Sequence, residues 1–427
     1  MRELLSHEGG LRSSKFQENI RAYHSIFAFT SIGANVDYSV NDKPGSYIFR
    51  INGQNHHKIG SLMPTPGQTP KFAQLYIYDT ENEVSNRMKA ISKKGTSGNN
   101  LDPKIIEGLM KMFDEHNKLT EVFHMARDRF QDSDLVPIRL RLIGRREMNA
   151  RQYNAPTSSE VAALIVGDLI DTNGERDIVV ETQSDGLQRI TDLHPSFMAM
   201  QYPILFPFGE DGFYIGIPYF NNEGRRKTKR ETVTMREYYA YRIQHRRNEG
   251  QTILCGRRLF QQFIVDAYTA IEEERLRFIR KKQPQLRADL YKNVRDAVVR
   301  GDTSRKSLGK RIVLPATFTG GPRYMIQNYQ DAMEICRWAG NRDLFITFTV
   351  NPKWLEIQSF LDEIPGQNPQ DRPDIETRVF KIKLDQLMKD IVQGQQFGRV
   401  IAGMMKIKLL SNKNPSKKFV TINILIY

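Results

Sequence analysis

Apolar and polar positions follow two different periods along this 427-residue chain. In the first 190 residues, short runs of aromatic and β-branched residues are separated by turns rich in glycine and proline, which predicts strands. Residues 103–116 and 121–130 instead repeat apolar side chains every three or four positions, which predicts helices. The predicted strands are residues 25–31, 46–51, 73–78, 136–143, 161–166 and 178–181.

These elements predict an α+β fold whose N-terminal, β-rich domain spans residues 16–190 and contains an antiparallel sheet, after a flexible lead of residues 1–15. Residues 191–233 form a linker. Its proline- and aromatic-rich part, residues 193–213, is predicted to pack on its neighbours, and stacking on bases is the alternative. Its basic run, residues 225–230, is typical of a nuclear-import signal or a phosphate-contacting loop.

Helical periodicity dominates residues 234–300. Apolar stripes over residues 259–271 and 286–298 are predicted to face a core. Lysines and arginines stand at the ends of the first stripe and are candidates for contacts with a phosphate backbone: Arg257, Arg258, Arg275, Arg277, Arg280, Lys281 and Lys282.

A strand, glycine turn, helix and strand are predicted between residues 312 and 350. Residues 312–314 form a short apolar run, and Gly320-Gly321-Pro322 is a turn signal. The following helix is predicted to end at Gly340 in the left-handed conformation, before a buried strand at residues 344–350. A further helix is predicted from Asp374, and residues 397–402 are predicted to start another strand.

Composition adds constraints on partners and location. The sequence contains no run of 18 apolar residues and no apolar core of the signal-peptide type, so we expect an intracellular protein without a membrane span. Two cysteines, Cys255 and Cys336, cannot form a disulfide framework and are predicted to be buried free thiols. The adjacent His56 and His57 would point to opposite faces of a strand and make a poor metal pair.

The positive charge is concentrated in one segment. Residues 225–313 contain 24 Lys and Arg against ten Asp and Glu, an excess of 14 that equals the net charge of the whole chain. A segregated basic segment is typical of a protein that binds a polyanion, because lysine and arginine release counterions from phosphates. A solvated helical surface is the alternative.

Residues 318–337, FTGGPRYMIQNYQDAMEICR, and residues 343–354, DLFITFTVNPKW, strongly resemble the helicase-like N-terminal region of Helitron transposon proteins. GRRLFQQFIVDAYTAIEEERLRFIR at residues 256–280 is similar to the same family. The resemblance extends from about residue 16 to about residue 402. It implies a rolling-circle replication initiator with a nuclease of the HUH type, here at residues 234–403 with an incomplete antiparallel sheet.

The family's chemistry implies a His-x-His metal pair, a divalent metal and one or two nucleophilic tyrosines, with ATP for a separate helicase domain. The sequence has no His-x-His and no phosphate-binding loop, and its last histidine is His245. Tyr238, Tyr239 and Tyr241 are therefore interpreted as packing or DNA-contacting residues. We predict no catalytic residues, no metal ligands and no cofactor in this chain, and residues 404–427 are predicted to be an unrelated tail after a truncation.

The resulting hypothesis is a nuclear, DNA-binding fragment of a Helitron-type transposase, acting on single-stranded DNA without catalytic activity. The alternatives are the N-terminal part of an active rolling-circle endonuclease and helicase, or an unstable relic. No oligomeric state is predicted. The predicted DNA-binding residues, for which core packing of the two aromatic ones is the alternative, are Arg257, Arg258, Arg323, Tyr324, Lys353 and Trp354.

Overall fold

Helices combine with small antiparallel sheets in this chain, which is compatible with the predicted α+β class. The computed structural model describes residues 1–6, 9–33, 35–42, 50–52, 56–91, 101–132, 138–143, 162–166, 178–181, 187–219, 230–246, 251–283, 312–340, 344–364, 366–394, 398–411 and 418–426. In that part of the chain, no helix is long and apolar enough to cross a membrane.

Two compact units are present. Unit 1 comprises Met1–Asp42, Phe49–Ala270 and Phe360–Pro373, and unit 2 comprises Lys43–Ile48, Ile271–Ser359 and Asp374–Tyr427. The predicted boundaries at residues 16–190, 191–233 and 234–403 stay a prediction, because compactness and family membership define domains differently.

Unit 1 opens with helices where a flexible lead was expected: α1 (Arg2–Leu5), α2 (Gly10–Glu18) and α3 (Ile20–Phe27). Buried polar contacts join the end of α1 to α2. Ser13 donates a hydrogen bond to the carbonyl of Leu4 at 2.9 Å, and the Gln17 amide donates to the same oxygen at 3.1 Å.

Two predicted strands of unit 1 are wrong. Residues 25–31 continue α3 to Phe27, because the apolar residues Ile20, Tyr23 and Phe27 are spaced three and four apart and are all buried. Residues 73–78 lie mainly in a 3-10 turn, Phe72–Tyr76, closed by the Gln74 side chain, which accepts from the Lys71 amide at 3.1 Å. Aromatic content alone therefore suggested strands where local hydrogen bonds favour turns.

The other predicted elements of unit 1 agree well with the structure. A three-stranded antiparallel sheet has the order β6-β5-β7, as predicted for this domain, and a second has the order β1-β4-β8. For the predicted strand at residues 46–51, residues 46–49 lie outside the described part, Arg50 is not in a strand and Ile51 is. The strands and helices are β1 (Ser31–Ile32), β2 (Asn35–Val36), β3 (Ile51–Asn52), β4 (His57–Ile59), α4 (Glu83–Ile91), α5 (Pro103–His116), α6 (Lys118–Asp132), β5 (Ile138–Leu142), β6 (Ala162–Val166), β7 (Ile178–Glu181) and β8 (Gln188–Ile190).

The linker begins inside the core of unit 1. Residues 197–206 contain α7 (Phe197–Gln201), and Phe197, Tyr202 and Phe206 are buried. The ring of Tyr202 meets Phe263 edge-on at 5.7 Å, so this segment packs against α9 (Arg258–Lys281). The packing interpretation is confirmed for these residues, and residues 225–229 of the basic run lie outside the described part. A short helix, α8 (Met235–Arg242), precedes α9.

Unit 2 contains the second half of α9 and the central stretch. Residues 312–315 are not a strand, because the Gln283 side chain satisfies both backbone groups of Val313, at 2.8 Å and 3.0 Å. The helix and strand that follow are confirmed as α10 (Pro322–Ala339) and β9 (Leu344–Thr349). Predicted residues 286–298 lie outside the described part. Then come α11 (Leu355–Asp362) and α12 (Pro373–Val392).

Strand β9 is covered on one face only, although a fully buried strand was predicted. Its residues alternate between partly buried and exposed. Leu344, Ile346 and Phe348 pack against the core of α12, in which Phe380 and Leu384 are buried. Phe345 points away and is largely exposed. Strands of an antiparallel sheet can face water on one side, and β9 follows that rule.

Residues 404–427, predicted to be an unrelated tail, complete the sheet of β9. They supply most of β10 (Gly403–Ser411) and all of β11 (Lys418–Ile426), and β11 lies between β10 and β9. The register pairs Ile422 with Phe348 and Ile424 with Ile346. Strand β10 starts at Gly403, after the predicted 397–402. Residues 406–409 and 420–424 alternate between apolar and polar, a strand signal that the sequence analysis overlooked.

Gly340 ends α10 with φ +85° and ψ −155°, outside the predicted left-handed helical region and in a region accessible almost only to glycine. We expect Gly340→Ala to lower the stability of the chain by about 1–3 kcal/mol, because alanine would be strained there. Urea unfolding followed by circular dichroism checks this. Gly340→Asn tolerates left-handed φ but not this ψ, so recovery of full stability by asparagine would contradict the assigned backbone conformation.

Candidate nucleic-acid interface

The predicted DNA-binding residues lie in both units. Arg257 and Arg258 belong to unit 1, at the start of α9, whereas the other four belong to unit 2. Arg257 has a positive φ of 47° and donates a hydrogen bond to the carbonyl of Gly366. Its Nε lies 3.9 Å from the Asp371 carboxylate. Arg257 therefore holds a loop of unit 1 in place, whereas Arg258 is exposed.

Lys353 and Trp354 follow the end of β9. The Lys353 side chain is exposed, and its backbone amide is fixed by the Asn351 side chain at 3.0 Å. Trp354 stacks on Phe348 at 5.7 Å and on Phe380 at 6.5 Å. Because these contacts tie Trp354 to the core beneath β9, the structure favours the packing alternative for Trp354 and leaves Lys353 available to a partner.

Arg323 and Tyr324 stand in the first turn of α10. Arg323 is exposed and Tyr324 is partly buried. The glycine turn before them is closed by the Gly321 amide, which donates to the Phe318 carbonyl at 3.0 Å. Among the described residues, no hydrogen bond, ion pair or ring contact joins this pair to Lys353 or Trp354. The structure thus presents two separate predicted pairs in unit 2.

None of the described residues of α10 is buried, and its last turn carries an exposed tryptophan. Trp338 is 74% exposed, which is unusual for so large an aromatic side chain. Helical spacing places it on the same face as Arg323, Gln327 and Glu334. Trp338 was not among the predicted residues, although this spacing was a usable signal. The face offers a ring and a guanidinium to a partner.

The C-terminal end of α9 presents a second exposed aromatic residue beside positive charge. Phe278 is 62% exposed, and the Lys282 ammonium lies 5.9 Å from the centre of its ring. Lys281 is exposed next to it. Cations are favoured at a helix C-terminus, and an exposed ring beside them suits a base stacked between phosphates. We call Phe278, Lys281 and Lys282 the α9 end patch. Its lysines were already candidates, whereas Phe278 was missed.

Two further arginines of this part of α9, Arg275 and Arg280, are paired within the helix. Arg275 lies 2.6 Å from Glu272, and Arg280 lies 2.8 Å from Glu273. The Arg275 guanidinium also lies 5.0 Å from the centre of the Phe318 ring. These contacts reduce the positive charge that the two arginines offer to a polyanion, so the α9 end patch is the stronger candidate.

The tyrosine cluster of α8 has structural roles. Burial raises the pKa of Tyr238 to about 12, and its hydroxyl donates to the Asp211 carbonyl at 3.1 Å. Burial also raises the pKa of Tyr239 well above its usual value. Tyr241 is exposed, with the Arg246 guanidinium 3.6 Å from its ring centre. A raised pKa disfavours the phenolate, so the first two tyrosines are poor nucleophiles.

The sequence lacks the pair of histidines that would hold the metal in a HUH-type site. Two histidines one residue apart do not occur anywhere in the 427 residues. In the described part of the chain, no group of three or more His, Cys, Asp or Glu is placed to hold a metal ion. Without such a pair, the described residues do not fit a HUH-type metal.

Comparison with known families gave one match. Residues 238–409 match the family described as Helitron helicase-like domain at N-terminus. The match covers α9, α10, β9, α11, α12 and most of β10, and it includes all six predicted DNA-binding residues. A comparison with curated proteins gave no match. Residues 238–409 of this chain are therefore a Helitron helicase-like N-terminal region, as the motifs indicated.

Proposed function

We propose that this chain is the DNA-binding part of a Helitron-type transposase or replication initiator and that it binds single-stranded DNA. The observation that carries the proposal is the position of the positive charge. The entire excess of 14 charges lies in residues 225–313, and most of that segment falls within the Helitron helicase-like region. Charge of this density attracts a polyanion.

Exposed aromatic residues support a single strand as the ligand. Phe278 and Trp338 are both largely exposed, and each lies in a helix that also exposes lysine or arginine. In a duplex the bases stack on one another, whereas unpaired bases can stack on aromatic side chains. Arg258, Arg323 and Lys353 are exposed candidates for phosphate contacts. Nuclear localisation is part of the proposal and is supported by the basic run at residues 225–230.

The salt dependence of binding tests this proposal. We expect the affinity of the full chain for a labelled oligothymidylate, measured by fluorescence anisotropy, to fall steeply as salt rises. Lys281→Ala and Lys282→Ala should each reduce the slope of log affinity against log salt by about 0.7, because each removes one phosphate contact. Phe278→Ala should cost about 1–3 kcal/mol of binding energy at fixed salt.

Lys111→Ala is the matched control, because Lys111 is an exposed lysine of α5 outside the basic segment. It should leave the slope unchanged. A flat salt response of the unmodified chain, or equal effects of the Lys111 and Lys281 substitutions, would remove the basic segment from the proposal.

We further propose that the chain binds DNA without cutting it. The support is the lack of a His-x-His pair in the sequence and the raised pKa values of Tyr238 and Tyr239. Incubation with single-stranded oligonucleotides and Mg²⁺ or Mn²⁺ should give no cleavage product on a denaturing gel. Cleavage that persists after repeated purification and follows the protein through size exclusion would overturn this part of the proposal and favour a working nuclease.

A further inference from the structure

A cavity of about 310 Å³ lies in unit 1, outside the Helitron helicase-like region. This volume is at the lower end of the range of about 300–1,000 Å³ that is usual for small-molecule sites. Its wall is formed by β1, β4 and the segment that leads into the 3-10 turn Phe72–Tyr76. Nothing in the motifs or the family match assigns it a ligand.

The lining of this cavity is suited to an anion. Lys58 and Lys71 line it, together with Ser31, Thr65 and Thr69, and its described lining includes no carboxylate. Within the described residues, neither lysine forms an ion pair with a carboxylate. Lysine side chains and serine and threonine hydroxyls are donors of the kind that bind the oxygens of a phosphate.

An aromatic side chain is held at the same cavity by a strained backbone. Phe72 lines the cavity and has a φ of 53°, a conformation that is an outlier for a bulky residue. The turn is fixed by Gln74, whose amide donates to Ser61 at 3.1 Å and Met63 at 3.2 Å. Strain of this kind persists where the surrounding structure imposes it, and it is concentrated at ligand sites.

We propose that this cavity binds a nucleoside phosphate unit, with the phosphate between Lys58 and Lys71 and the base against Phe72. The inference rests on the proposed DNA binding for the source of the ligand, a nucleotide of a single strand. A free nucleotide has the same chemistry and would use the same groups. The cavity would give unit 1 its own contact with the strand, separate from the α9 end patch.

The test compares two substitutions of equal charge change in unit 1. Lys71→Glu reverses a cavity lysine, and Lys111→Glu reverses an exposed lysine of α5 that does not line the cavity. Affinities for a twelve-residue oligothymidylate and for thymidine 5′-monophosphate are measured with the full chain. We expect Lys71→Glu to weaken oligothymidylate binding about tenfold, and Lys111→Glu to change it less than about twofold.

Phe72→Gly separates binding from folding, because glycine adopts the observed φ without strain. This variant should keep its cooperative thermal unfolding and bind oligothymidylate at least about fivefold more weakly, since a stacked base is lost. Loss of mononucleotide binding alone in Lys71→Glu would support the cavity with a free nucleotide as its ligand.

Equal affinities of the Lys71 and Lys111 variants for both probes would overturn the cavity site. The proposed DNA binding would survive that result if Lys281→Ala still weakened oligothymidylate binding. An unmodified chain that binds neither probe would overturn both proposals.

Discussion

Arg87→Met should destabilise unit 1 by about 3–5 kcal/mol, the range found when one partner of a buried ion pair is removed. Arg87 is fully buried and lies 2.5 Å from Glu83, one turn away in α4. Its guanidinium also lies 4.4 Å from the Phe27 ring centre and 4.3 Å from the Tyr76 ring centre. Methionine restores the volume but leaves the Glu83 carboxylate without its charge partner. Urea unfolding followed by circular dichroism measures the loss.

An exposed pair with the same spacing provides the control. Lys111 and Glu115 are also four residues apart in a helix, but their side chains are largely exposed and 4.0 Å apart. Lys111→Met should change stability by no more than about 0.5 kcal/mol, because exposed pairs contribute little.

The double substitution Glu83→Leu with Arg87→Met removes both charges and should recover most of the loss. A loss below about 1 kcal/mol for Arg87→Met alone would contradict the burial of this pair, since a single unpaired buried charge costs more than that.

The stability of unit 1 should fall on acidification through His24. Burial lowers the pKa of His24 from 6.5 to about 3, and nearby Asp266 offsets this only partly. Its Nδ1 is buried without a hydrogen-bond partner among the described residues, and its ring stacks on Tyr202 at 5.0 Å. Folding therefore keeps His24 neutral at pH values where the unfolded chain binds a proton.

The direction of this pH effect, and the pH range over which it acts, follow from the pKa values of His24 in the unfolded and folded states. Between pH 6.5 and about 3 the unfolded state carries more protons at this position, so the free energy of unfolding decreases as pH falls. The decrease due to His24 should approach about 1.4 kcal/mol per pH unit. Well above pH 6.5 both states are neutral and the contribution of His24 to the pH dependence vanishes.

His24→Phe isolates this contribution. It keeps an aromatic ring beside Tyr202 and removes the titrating group, so the slope of stability against pH between pH 6 and 4 should fall by up to about 1.4 kcal/mol per unit. His124, whose pKa burial lowers to about 4, titrates in both proteins and cancels in the difference. Identical slopes for His24→Phe and the unmodified chain would contradict the burial of His24 in solution.

Sequence periodicity correctly predicted elements whose apolar pattern is formed by residues close together in the sequence. The helix at residues 103–116 and the strand at residues 178–181 have the predicted bounds, and α10 and β9 appear where predicted. Periodic apolar residues and caps act within a few residues of each other, so one sequence contains their signal. The motifs likewise identified the Helitron helicase-like region that the family match shows.

For two short apolar runs, contacts in the folded chain determined the secondary structure. Residues 73–78 satisfy the strand pattern, yet Gln74 closes a turn there and the Tyr76 hydroxyl donates to the Phe27 carbonyl at 2.6 Å. Residues 312–314 also look like a strand, but the Gln283 amide satisfies Val313. The Tyr76 hydroxyl meets backbone 49 residues away and the Gln283 amide meets backbone 30 residues away, and no local pattern encodes these two contacts.

The candidate nucleic-acid interface also combines features that the sequence predicts with features that only the fold determines. Charge counting alone located the basic segment and resemblance alone located the Helitron-like region, because both are properties of the sequence. The exposure of Phe278 and Trp338, the core contacts of Trp354 and the anchoring of Arg257 depend on which neighbours folding brings to each side chain. Burial is a property of the folded surroundings, so only the tertiary structure distinguished side chains open to DNA from those that hold the protein together.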